Sequence, residues 1–364
     1  MTTPSHSDSP AVRTEKRSFL ARWLADNGLL ALIVLALALL PFALALLNGQ
    51  SIASLIANES GSAKFIQGLL IEVYILAVFA ISYDLVLGVA GLLSFGHAMF
   101  FAVGAYLTGI LLKSFGWPLW MTLLAVIGAG VLQALLFGVV LPRVQGITFA
   151  LVTLGFAAVF DIMIKSHELA EWTGADVGLQ GIPRPDLLNP NTQRLRFYFV
   201  ALAFAVAVYL FYRRFVNSPT GRVCVASREN PDRAKMLGYN IFYFQLAALT
   251  IASITAALAG MLNALYKPIV SPEIASLGFT VDGLLMVLIG GIGTLSGAMV
   301  GAGVFRLMDF YFAKWFGENA SFLIGVIYVA IVLFLPYGIV GTWRRRSPSR
   351  KDGWRRLLWF TRES

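Results

Sequence analysis

A single cysteine, Cys224, in a chain of 364 residues leaves no partner for an intramolecular disulfide and excludes a cysteine-based metal site. Histidine is nearly as scarce. His6, His97 and His167 are too dispersed to suggest a metal centre or a Ser/His/Asp catalytic group. No Gly-x-x-x-x-Gly-Lys-Ser/Thr stretch occurs, so any ATP used on behalf of this chain must be hydrolysed by another subunit. Gly291-x-Gly293 is followed by Ser296 and lies in no alternating strand and helix pattern, which rejects a dinucleotide fold; no cofactor is expected. Charge is the remaining shortage: Asp, Glu, Lys and Arg make up 13% of the chain, against roughly 25% in soluble domains.

What fills the space is apolar: 58% of the residues are hydrophobic, which makes this a polytopic membrane protein. The net charge of +9 does not indicate nucleic acid, because the basic residues cluster beside hydrophobic runs, as the positive-inside rule produces. Apolar runs of spanning length fall at about 29–47, 66–87, 95–112, 119–141, 146–164, 197–212, 241–266 and 321–341. The run 281–313 would measure about 50 Å as one helix against a bilayer core of about 30 Å, so it must tilt or break. Gly290 to Gly297 supplies the break, dividing it into spans near 274–291 and 295–313.

The expectation is therefore an all-α membrane protein of about ten spans with glycine-broken segments and both termini in the cytoplasm. Of the 28 Lys and Arg residues, 19 then lie inside. Residues 1–28 form a basic cytoplasmic arm, 29–341 a transmembrane domain and 342–364 a basic cytoplasmic tail. The run 29–47 lacks a small-x-small exit and reads as a retained first span, not a cleaved signal.

Between two spans lies a charged island, Ser218 to Gly238, which reads as a docking element for a cytoplasmic partner. Asn230 can cap a helix, Pro231 fits its first position, Asp232 suits the positive end and Gly238 stops it. A helix of roughly two turns follows. On the opposite face, the connection 165–196 carries Thr173 to Pro183, a candidate surface for delivery of substrate.

The two glycine-broken passages, Val86 to Gly96 and Val287 to Gly297, echo one another, as paired broken helices around a transport site do. Candidate pathway residues are Ser94, Gly96 and His97 at the first break, Gly291, Gly293, Thr294 and Ser296 at the second, and Glu72. Glu72 lies about 9 Å into its span and has the best claim to an interior partner. His97 either lines the path or packs between helices on a carbonyl. Asp84, Asp161, Asp282 and Asp309 lie near span ends, within reach of interfacial water, and Arg306 lies within a span.

These residues carry a resemblance. Tyr83-Asp-Leu-Val-Leu-Gly88 and Gly91 to Tyr106 resemble the signature of LivM-type permeases of bacterial branched-chain amino acid ABC importers. Thr173 to Pro183, Ser218 to Gly238, Ala256 to Gly260, Ile289 to Ala298 and Phe334 to Gly341 agree in the same order, so the likeness covers about 66–341. It implies a non-enzymatic permease subunit of the bacterial inner membrane, working with a second homologous permease, two cytoplasmic ATPases and a periplasmic binding protein in a lipid bilayer. The family's ATPase-coupling segment falls here on Ser218, Pro219, Gly221, Arg222, Arg228, Glu229, Arg233 and Gly238. Two departures stand out: Asn230-Pro231 separates Glu229 from the next acid, Asp232, and Met308-Asp309-Phe310 stands where many relatives carry Glu. Relatives that move urea, short amides or aromatic acids keep the substrate open. A stand-alone secondary transporter is the remaining alternative.

Overall fold

The computed structural model describes residues 19–47, 49, 58, 61–144, 146–335 and 337–346. The basic tail beyond 346 and most of the N-terminal arm lie outside the described residues. Long apolar segments with few polar side chains must satisfy their backbone internally in lipid, and they form helices throughout. In chain order these are α1 (Phe19–Leu47), α2 (Ser62–Asp84), α3 (His97–Lys113), α4 (Leu119–Val140) and α5 (Ile147–Lys165). After the 165–196 connection come α6 (Arg194–Asn217), α7 (Pro219–Glu229), α8 (Pro231–Met236) and α9 (Ile241–Tyr266). The last four are α10 (Leu277–Gly290), α11 (Ser296–Phe316), α12 (Ala320–Phe334) and α13 (Gly338–Arg346).

Among the described residues six helices are long and apolar enough to cross a membrane: Leu30–Leu47, Lys64–Val89, Leu119–Val140, Ile147–Lys165, Arg194–Asn217 and Ile241–Tyr266. His97–Lys113, Leu277–Gly290 and Phe322–Ile331 are apolar but shorter. The run 281–313 is two helices, α10 and α11, joined by the glycine turn. α2 ends in a π-helical turn, Leu85–Val89, where the first glycine-broken passage begins.

The core is held by close helix contact. α9 packs on α3 and α4, and α2 packs on α6, α9 and α11. Small residues permit this: a Cβ on Gly260 would collide with the Phe101 carbonyl, and one on Gly104 would meet the Ala257 backbone, so α3 and α9 touch main chain to main chain. One buried cluster joins α2, α3, α4, α6 and α9, and a second joins α2 to α10, α11 and α12 through Tyr83, Met286, Ala302, Phe305 and Tyr328.

The two ends of the bundle differ. At one end Leu179–Gln180 (β1) pairs antiparallel with Ile269–Val270 (β2), tying the 165–196 connection to the segment after α9. Lys113 Nζ donates to Gln180 O at 2.7 Å at that same end. At the other end the π turn, the α10–α11 turn and α7 meet.

Candidate functional site

The two glycine-broken passages are in direct contact. Asp84, the last residue of α2, accepts hydrogen bonds from the backbone N–H groups of Gly293 (2.6 Å) and Leu295 (2.9 Å). Gly88 lies against Gly293 so closely that a Cβ on Gly88 would stand 2.5 Å from Gly293 N. Within the second turn, Thr294 Oγ1 donates to Gly291 O at 2.6 Å and Ser296 Oγ to Thr294 O at 3.2 Å. Gly291 and Gly293 have φ of +114° and +74°, where a side chain would be strained, and Leu295 is held at +48° with its N–H on Asp84. Asp84 is wholly buried, which corrects its placement in interfacial water. The turn that it caps also covers it.

The segment Ser218 to Gly238 reaches this junction. Arg228, on α7, donates from Nη1 to Gly88 O, its stem rests on Gly91, and its charge bears on Asp84. Gly91 has φ of +73° and a Cβ there would stand 2.8 Å from Arg228 Cγ, so glycine is required on both counts. One cationic side chain therefore touches the first break and lies beside the second.

The segment itself is two capped helices, one directly after the other. Ser218 Oγ accepts from Gly221 N–H at 3.3 Å with Pro219 in the first turn of α7, and Asn230 Oδ1 accepts from Arg233 N–H at 2.9 Å with Pro231 in that of α8. Gly238, at φ +85°, follows α8. The two-turn helix read from Asn230 to Gly238 is present; α7 was missed, although Ser218-Pro219 carries the same cap pattern. Gly221 lets α7 turn back on α6, because a Cβ there would strike the Phe215 carbonyl. Arg222, Glu229 and Arg233 are exposed, and Arg222 and Arg233 line a groove of about 480 Å³ between α7 and α8. Met236 and Leu237, at 86% and 71% exposure, stand beside it as uncovered apolar surface.

Cys224 points the other way. It is buried, with Sγ 3.4 Å from Phe244 O, and burial pushes its thiol up to about 11. Maleimide at pH 7.5 is expected to label it slowly while the protein is folded and completely in SDS. Because the folded thiol titrates above the unfolded value of about 8.5, its contribution to stability is whole below that pH and is lost as pH rises toward 11. Rapid labelling of the folded protein would contradict this packing.

His97 opens α3 and is wholly buried. Ser82 Oγ gives its proton to Phe79 O (2.7 Å) and so accepts at 2.9 Å from His97 Nε2, which makes the ring the Nε2–H tautomer and leaves Nδ1 unpartnered among the described residues. The imidazole stacks on Tyr83, whose hydroxyl donates to Ser94 O at 2.7 Å, while Ser94 Oγ accepts from Gly96 N–H at 3.3 Å. His97 thus packs between helices on a hydroxyl instead of a carbonyl. Gly96 abuts the Thr153 carbonyl of α5.

Glu72 stands apart from both breaks. Arg306 of α11 donates from Nε to Glu72 Oε2 at 2.6 Å and pairs through Nη1 with Asp309, so Glu72 has the interior partner expected of it. Asp309 is drawn into that ion pair, and Asp161 pairs with Lys165 at 2.8 Å. The triad lines a cavity of about 650 Å³ between α2, α10, α11 and α12, with Glu273 and Lys267 at the β2 end and Asp282 on its wall. Phe101 and Phe279 line it too, and their rings pack with Phe79, which covers His97. Sequence reading missed Arg306 and Asp282 as site residues. The signal was a lone intramembrane cation, which needs a carboxylate partner.

The model of the family described as branched-chain amino acid transport system / permease component matches residues 65–332. The chain belongs to this family. Among its relatives, the high-affinity branched-chain amino acid transport system permease protein LivM of Salmonella typhimurium is 27% identical over 290 residues, 72% of this chain and 67% of the relative. The permease protein BraD of the corresponding Pseudomonas aeruginosa system is 24% identical over 290 residues, 73% of this chain and 91% of the relative. The probable permease LivM of Methanocaldococcus jannaschii is 31% identical over 180 residues, 45% of this chain and 52% of that one. No solved structure matches the chain.

Proposed function

We propose that this chain is one permease subunit of an ABC importer for branched-chain amino acids in a bacterial inner membrane. It has about ten spans, with both ends on the cytoplasmic face, and pairs with a second homologous permease, two ATPases and a periplasmic binding protein. The substrate comes from the relatives, whose names give branched-chain amino acid transport. Delivery is at the β1–β2 end, where β1, within Thr173 to Pro183, pairs with β2, the strand between the cavity-lining Lys267 and Glu273.

The observation that carries this reading is Arg228 joining α7 to Gly88 beside Gly293. Closure of the ATPases displaces α7 and α8, and Arg228 transmits that displacement to both glycine turns at once. The turns then favour an inward-open arrangement, because a push moves an equilibrium only through contacts that differ between its states. Gly88, Gly291 and Gly293 have no side chains to obstruct such repacking.

Affinity purification of the tagged chain is expected to bring down a second permease and two ATPases. Arg222→Ala with Glu229→Ala, both exposed on α7, is expected to release the ATPases and abolish leucine uptake while the permease pair survives. Unchanged uptake in that double variant would sink the coupling assignment. The Glu72–Arg306–Asp309 group is what an ion-coupled carrier would need, so that second reading has an observation behind it. It requires uptake that continues after ATP depletion while a membrane potential is held.

A further inference from the structure

The 650 Å³ cavity is built asymmetrically in charge. Four carboxylates line it, Glu72, Glu273, Asp282 and Asp309, against two cations, Lys267 and Arg306. Arg306 is already committed to Glu72 and Asp309, so its positive charge is spent inside the wall. Asp282, one and a half turns into α10, makes no hydrogen bond or ion pair among the described residues and is only partly buried. A carboxylate at that depth without a protein partner is costly unless something positive or wet stands before it.

A second, independent group faces the same space. Tyr328 of α12 is 7% exposed, is stacked on Phe305, and lines the cavity, yet its hydroxyl has no partner among the described residues. Asp282 and Asp309 line the same cavity, so oxygen acceptors from α10, α11 and α12 face one space. Ile75, Leu76, Leu285 and Ile324, with the rings of Phe101 and Phe279, complete the wall as apolar surface.

We propose that this cavity binds the primary ammonium group of an amphiphilic substrate, with Asp282, Asp309 and the Tyr328 oxygen as its acceptors and the apolar wall receiving an aliphatic side chain. An ammonium has three donors and no acceptor, which matches three oxygens and excludes an anion as the favoured guest. In an α-amino acid the carboxylate is then left toward Lys267 at the mouth. The proposal deepens the importer reading and rests on it for the identity of the guest, so its test is built to fail separately.

The experiment is equilibrium displacement of tritiated 3-methylbutylamine from the detergent-purified complete transporter, without binding protein. Unlabelled 3-methylbutylamine, L-leucine and 4-methyl-2-oxopentanoate compete, and proteoliposome uptake of leucine is measured in parallel. Saturable amine binding, displaced by leucine but not by the oxo acid, is expected. Asp282→Asn should weaken it tenfold or more and Tyr328→Phe threefold or more, while Asp282→Glu stays within threefold of wild type. Tyr328→Phe removes one oxygen without altering packing, so it guards against a misfolded Asp282 variant. Absent amine binding in a complex that transports leucine, or binding indifferent to both substitutions, overturns the proposal. Amine binding that depends on Asp282 in a complex that does not transport leucine upholds the ammonium site and overturns the substrate reading instead.

Discussion

Arg228→Met is expected to lower ATP-driven uptake by about tenfold while leaving the subunits assembled and the basal ATPase running. The side chain makes a charged hydrogen bond to Gly88 O, a class worth about 1.5–3 kcal/mol, and the open flank of Arg228 puts it at the lower end of that range. Such a loss is roughly a factor of ten in the balance between states. Met keeps the apolar stem that rests on Gly91, so packing survives and the polar link alone is removed. Arg228→Lys should not restore coupling, because one compact ammonium on a flexible stem cannot both donate to Gly88 O and face Asp84 as the planar guanidinium does. Uptake and ATP hydrolysis measured together in proteoliposomes check this. Equal loss of both would mean that Arg228 only holds the subunit on its ATPase, and full uptake would mean that the latch is idle.

The second large effect belongs to Asp84. Replacing it with Ala leaves the Leu295 N–H buried without an acceptor, at about 1–3 kcal/mol, removes the acceptor of the more open Gly293 N–H, and releases Leu295 from the left-handed conformation that its bond to Asp84 holds. A loss of about 1–3 kcal/mol is expected in SDS-unfolding titrations of the purified chain. Asp84→Asn keeps one oxygen acceptor and should lose about half as much. If both variants unfold with the wild type, the contact between the two glycine passages does not organise this end of the bundle.

Much of this architecture was legible because glycine and apolar length are local properties. The break in 281–313 followed from comparing helix length with bilayer thickness, and the α8 cap from Asn230-Pro231 alone. The junction itself was not legible. Arg228 and Gly88 are 140 residues apart, and Arg306 and Glu72 are 234 apart, so no spacing rule joins them. Asp84 misled for a physical reason: a carboxylate at a helix end normally reaches water, but here the backbone of a distant turn takes the place of that water. For His97 the sequence left lining the path and packing between helices both open, and its partner was not legible, because Ser82 lies on the preceding helix, 15 residues away. The echo between the two glycine passages gains a meaning that sequence could not supply, since the two are neighbours in space and Asp84, just ahead of the first, accepts hydrogen bonds from the second.

The central claim is that this chain moves substrate only when ATPase subunits act on α7 and α8. Uptake of labelled leucine into proteoliposomes holding the complete complex, with binding protein added and ATP supplied or withheld on the ATPase side, tests it directly. Uptake that requires both ATP and binding protein, and that falls about tenfold with Arg228→Met, is the result expected. Uptake that proceeds without ATP under an imposed membrane potential would contradict the account and make the Glu72–Arg306–Asp309 group the engine of an ion-driven carrier.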